Sequence, residues 1–203
     1  MRAPSTLRPT CAIFTFLFVA SAAIATTVIP PAFDELVGRA DYIVHSVVKS
    51  VTCEMRSDGA GRHIISKVEL EVKEVIAGQP PTPLVLEMLG GTVGTDRMVV
   101  HGSPEFKVGD EDILFVHGNG VQFNPLVALG HGRYPIKRDP QTGRNFVARS
   151  NGEPLVDERE VVLPLMSSGA HPEQTATPPL TTESFIAKIK AARHSNASTA
   201  LEN

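Results

Sequence analysis

The chain has 203 residues, with 19 Lys and Arg against 22 Asp and Glu, a formal net charge of -3, seven histidines, two cysteines and no tryptophan. With no basic excess and no dense run of Lys or Arg, it lacks the footprint of a phosphate-tracking surface, which excludes nucleic acid as the expected partner. Two cysteines are too few for a disulfide framework.

Residues 2–25 read as a secretory signal peptide. Arg2 and Arg8 give the positive start, the run CAIFTFLFVA (residues 11–20) is apolar but too short to span a bilayer, and Ala23-Ile24-Ala25 is a small-x-small cleavage site. Cleavage after Ala25 predicts a secreted or periplasmic protein that begins at Thr26, and it takes the net charge from -3 to -5 because both lost charges are arginines. Cys11 leaves with the leader, so Cys53 is alone and no intramolecular bridge can form. Beyond residue 25 no apolar stretch approaches the ~20 residues of a transmembrane helix.

Thr26, Thr27, Val28, Ile29 and Pro30 form an extended segment by virtue of β-branching and the Pro30-Pro31 pair. A short helix follows, with Phe33, Leu36, Val37 and Ala40 on one stripe, Asp34 and Glu35 in the first turn, and Pro31 suited to its opening position. From Tyr42 the pattern becomes extended and β-branched, bounded by Ser57-Asp58-Gly59-Ala60-Gly61. Residues 63–76 alternate cleanly, with Val68, Leu70 and Val72 opposite Lys67, Glu69, Glu71 and Lys73. The two runs predict an antiparallel hairpin with a connection of about four to seven residues.

A third strand is expected at residues 84–89, ending at a bend or bulge made by Gly90 and Gly91. Further strands are expected at 97–101, 113–116, 126–136 and 145–149, the last two joined by a turn at Asp139-Pro140-Gln141-Thr142-Gly143. Residues 167–180 read as a Ser/Thr/Pro linker. A C-terminal helix over 181–194 is capped by Thr181 or Thr182 and buries Phe185, Ile186, Ile189 and Ala192. Lys188, Lys190 and Arg193 are expected to favour the C-terminal end of its dipole, and residues 195–203, with the sequon Asn196-Ala197-Ser198, to form a disordered tail. The fold class is mainly β: a small OB-like antiparallel barrel over residues 26–166 with a short N-terminal helix and a C-terminal helix.

The run Ala40-Asp41-Tyr42-Ile43-Val44 after a short helix, and then Lys67-Val68-Glu69-Leu70-Glu71-Val72-Lys73-Glu74-Val75-Ile76-Ala77-Gly78, resembles a pattern in exported bacterial proteins of unassigned function. It is also similar to the netrin-like domain, the OB-type barrel of tissue inhibitors of metalloproteinases. The resemblance covers roughly residues 36–117 and implies a long curved hairpin and a third strand wrapped into a small barrel. Those inhibitors present a disulfide-tied N-terminal cysteine to their target's zinc. This chain would begin Thr26-Thr27 with no bridge to fix it, so the resemblance extends to fold and leaves activity open.

No H-E-x-x-H, H-x-H, C-x-x-C or G-x-S-x-G arrangement is present, and neither a cofactor nor a metal site is expected. His117 and His131, each beside glycine, are the histidines placed to approach a ligand; the structural alternative is ordinary loop residues. Cys53 reads as a small buried hydrophobe or as a nucleophile, if a base stands beside it. Gly90-Gly91-Thr92-Val93-Gly94 lacks the lysine and helix of a phosphate loop, and Asp110-Glu111-Asp112 reads as a solvated turn. The expected function is an exported, non-enzymatic binding module for a secreted or envelope protein. A protease-inhibitor-like version would use residues 26–30 by strand addition. The alternative is a secreted hydrolase or thiol-dependent enzyme using Cys53 and the histidines.

Overall fold

The computed structural model of the chain describes residues 29–59, 61–165 and 177–201. The leader, Thr26, Thr27, Val28 and most of the expected linker lie outside the described residues. Helix α1 (Phe33–Arg39) leads into strands β1 (Tyr42–Asp58), β2 (Gly61–Gly78) and β3 (Leu84–Leu89), then β4 (Gly91–Val93), β5 (Asp96–Met98), β6 (Glu111–Val116), β7 (Arg133–Arg138), β8 (Asn145–Val147) and helix α2 (Thr182–Leu201). Helix α1 begins after Ala32 as N-cap, so Pro31 stands just ahead of its expected place.

The fold is mainly β. Six strands form one antiparallel sheet in the order β3-β2-β1-β6-β7-β8, and β4 pairs with β5 as a separate hairpin. The long β1-β2 hairpin is tighter than expected: Asp58 pairs with Gly61, leaving a two-residue connection. Its register shifts leave Lys73 and Ile76 of β2, and Lys49 of β1, without opposite numbers. Each such bulge bends its strand and increases the local twist. The bulge at Lys49 also resets the alternation of β1. Tyr42, Val44, Ser46 and Val48 are buried, and past Lys49 it is Val51 and Cys53 that turn toward the same interior, opposite Val68 and Ser66.

Two apolar cores result, one on each face. On the first, Leu36, Val37, Ile43, Ile113, Phe115, Tyr134, Phe185 and Ile189 are fully or almost fully buried between the sheet and the two helices. Tyr134 and Phe185 have ring centroids 5.0 Å apart, and Phe115 meets Tyr134 edge-on at 5.5 Å. Burying such a side chain contributes about 1.5–3 kcal/mol. On the second face, Val44, Val48, Val68, Leu86, Met88, Phe106, Leu114 and Val116 pack together.

Among the described residues no barrel is closed by strand pairing: the sheet ends at β3 and β8. The gap from β3 to β6 is spanned by residues 117–127. Asn119 donates Nδ2 to Val85 O at 2.8 Å and accepts from Glu87 N at 3.3 Å, and Leu89 N donates to Phe123 O at 2.7 Å. On the other side His117 N donates to Pro125 O and Val127 N to Phe115 O. At the β8 edge, Val147 N donates to Leu180 O and Leu155 N to Val147 O. Leu180, expected to lie in a linker, is therefore tied to the sheet edge.

Further expectations change. The strand expected over 126–136 is interrupted by a 3-10 turn at Leu129–Gly132, entered through positive φ at Ala128 (50°) and Leu129 (57°). Helix α2 continues past residue 194 to Leu201, so the expected tail is helical over that stretch. Asn196 Nδ2 donates to Asp34 O at 3.0 Å, which engages the nitrogen a glycan would need. As a result Lys188 and Lys190 lie inside the helix, paired with Glu158 and Glu74, and Arg193 donates to Val37 O and Ala40 O, satisfying the carbonyl end of α1 rather than of its own helix. Thr181 does cap α2, accepting from Ser184 N at 3.2 Å. The acidic trio is not a solvated turn: Asp112 is 1% exposed and bound to Arg133, Asp110 also meets Arg133, and Glu111 meets His45 at 2.7 Å.

Candidate ligand-binding cleft

Past the bulge at Lys49, β1 has left β6. The second core is therefore open at its β4-β5 end. A cleft of about 490 Å³ forms there, with Val51, Val68, Met88 and Phe106 contributing apolar surface and Thr92, Arg97, Ser103 and Glu105 supplying polar groups. Its volume falls within the range of about 300–1,000 Å³ usual for ligand sites. The charges at its edge satisfy one another, since Arg97 Nη2 lies 3.3 Å from Glu105 Oε1.

Cys53 and Ser66 face each other across the hairpin, Sγ to Oγ at 3.3 Å. Ser66 gives its own proton to Gly90 O at 2.6 Å, so its oxygen is left to accept and the Cys53 thiol is the donor. Gly90 and Gly91 form the bend out of β3 with φ of 107° and 132°. A Cβ on Gly91 would stand 2.5 Å from Ser66 Oγ and 2.7 Å from Cys53 Sγ. Both conditions demand glycine here: a backbone conformation that side chains strain to adopt, and a main chain pressed onto the Cys53-Ser66 pair.

The histidines are elsewhere. His117, with its side chain 44% exposed, holds Asp41 at 3.0 Å, and Asp41 also accepts from Gly118 N at 2.7 Å. The Gly118 N–H, aided by His117, holds the Asp41 carboxyl below its usual range. This pair fastens the α1-β1 junction to the loop after β6. His131 is buried in the 3-10 turn, where burial, and then the nearby Arg149 charge, push its pKa down against a main-chain hydrogen bond with Val161. Among the described residues no histidine lines the cleft, and Cys53 has Ser66, not a base, as its partner. Among the described residues no group of three or more His, Cys, Asp or Glu side chains is placed to hold a metal ion.

Of the residues singled out by sequence, Gly90, Gly91 and Cys53 come together in one cleft, while His117 and His131 lie apart from it. Ile29 is 84% exposed and Pro30 half-buried ahead of α1. Of the other lining residues, Ser66, Met88 and Met98 lay in expected strands with nothing to mark them for a site, and Phe106 lay outside any expected element.

Fold and cleft together define a mainly β protein with an open antiparallel sheet, backed by two helices on one face and hollowed on the other. No protein-family model matches the chain, and no curated protein matches it. None of its helices is long and apolar enough to cross a membrane, among the described residues.

Proposed function

We propose that the chain is an exported binding module, secreted or periplasmic once residues 1–25 are removed, which grips a protein of the medium or cell envelope through the cleft. The observation that carries this reading is a cleft with apolar surface, mutually neutralised rim charges, and a thiol engaged by a serine hydroxyl rather than by a base. Such a site offers shape and apolar burial without the nucleophile–base pair that acyl transfer requires. A netrin-like fold is consistent with the curled hairpin and the segment bridging β3 to β6. The inhibitor-like version through residues 26–30 gains no comparable support.

The test immobilises the purified chain in its own culture medium and envelope extract. Retained proteins are compared for wild type, for Val99→Glu at the exposed cleft rim, and for protein alkylated at Cys53, all checked for unchanged melting. A partner held by wild type and lost in both altered forms is expected. Retention that ignores both changes, or none at all, overturns the reading. A thiol-dependent activity abolished by Cys53→Ser in a folded protein would favour the enzymatic alternative.

A further inference from the structure

We infer that the occupant of the cleft is an uncharged, extended peptide segment that adds as a strand to the free edge of β1; this rests on the binding-module reading above. The main chain of β1 is paired to β2 from Tyr42 to Asp58 except at the Lys49 bulge, but its other edge is paired only as far as Val48, which exchanges hydrogen bonds with Asp110 and Gly109. From Ser50 to Ser57 that edge has no main-chain partner among the described residues. The outer margins of the sheet are treated differently. At β3, the Asn119 carboxamide and Phe123 occupy the edge, and at β8, Leu155 and Leu180 do so. Among the described residues the outer edge of β2 beyond Leu70 is also without a strand partner, but it carries two bulges, at Lys73 and Ile76, and the charges of Glu71, Lys73 and Glu74, which are the usual devices against strand addition.

The β1 stretch differs in two ways. It runs from Ser50 to Asp58 in unbroken register with β2, and its first four residues, Ser50, Val51, Thr52 and Cys53, are uncharged. Val51 and Cys53 of this same stretch line the cleft. A strand laid along the edge would gain main-chain hydrogen bonds and could direct an apolar side chain toward Met88 and Phe106. The rim charges Arg97 and Glu105 already neutralise each other, so an uncharged segment is the complementary one.

The experiment selects a phage-displayed library of linear peptides on the full chain, then synthesises an enriched peptide with and without N-methylation at two alternate residues. The expected peptides pair an apolar residue with uncharged neighbours, slow amide exchange in residues 50–57, and fail to bind protein alkylated at Cys53. N-methylation should weaken binding by about tenfold or more, the loss of two main-chain hydrogen bonds. The inference is overturned if no linear peptide enriches, if N-methylation has no effect, if protection falls elsewhere, or if the chain alone dimerises through residues 50–57. Should these arms fail while a culture-medium partner is still lost on Val99→Glu, the module reading stands and only the peptide assignment falls. Should no partner be retained by any form, the module reading falls.

Discussion

Arg133 reaches from β7 across β6 to hold both oxygens of Asp112, with Nε to Oδ1 at 2.8 Å and Nη2 to Oδ2 at 3.1 Å. It also donates to Glu105 O at 2.6 Å and lies 4.3 Å from the centroid of the Phe106 ring. This one side chain links the sheet to the segment that forms the cleft wall.

Replacing Arg133 with Met strands a buried carboxylate and should cost about 3–5 kcal/mol at neutral pH. Burial already pushes the Asp112 carboxyl above its usual range, with Arg133 pulling it back. Without the arginine it rises further. A raised carboxyl loses stability as pH increases, because the unfolded chain releases the proton first, so the deficit of the variant should shrink on acidification. Denaturant melts of both proteins across pH measure this; a pH-independent deficit would contradict the assigned role.

Asn119→Ala should open the β3 edge. It leaves Val85 O and Glu87 N without their partner, and a loss of about 1–2 kcal/mol is expected. The exposed edge should also promote association, visible as concentration-dependent sedimentation in the variant and not in the wild type.

His131 should impose an acid-side decline in stability. Its folded pKa lies below the ordinary 6.5, chiefly through burial, so on acidification the unfolded chain takes up a proton that the folded one refuses. Stability should fall as pH drops through about 6.5 and level off below the folded pKa. In His131→Gln this portion of the pH profile should be absent; an identical slope would show that the ring does not titrate differently on folding.

Gly91→Ala should both destabilise and alter the cleft. The positive φ costs about 1–3 kcal/mol for a side chain that resists it, and the new methyl presses on Ser66 and Cys53. Thermal melting gives the first effect. The rate of Cys53 alkylation in the native state gives the second, and it should change.

Much of the sheet was legible because its signals are local. The alternation of residues 67–73 placed β2, the period-matched stripe placed α1, and the paired glycines marked the bend after β3. The buried face of α2 was equally clear from Phe185, Ile186, Ile189 and Ala192. Its length was not, because the last turns are held from outside, by Asn196 against Asp34 and Arg193 against the end of α1. The cleft was visible only in part. Gly90, Gly91 and Cys53 stood out by residue type, but their meeting depends on pairing register. Phe106 enters from a loop with no period at all. The histidines misled because glycine neighbours speak to backbone freedom and say nothing of what the ring meets.

The extra residue at Lys49 makes the lining of the cleft a matter of counting. Regular alternation from Val48 would point Ser50, Thr52 and Glu54 inward, and the bulge is what brings Val51 and Cys53 there instead. A chain that dropped Lys49 would keep that lining on a straighter strand, whereas one with a further insertion and no second bulge to absorb it would turn the apolar residues out to water. A single inserted codon at this point would therefore change which side chains line the cleft without substituting any of them.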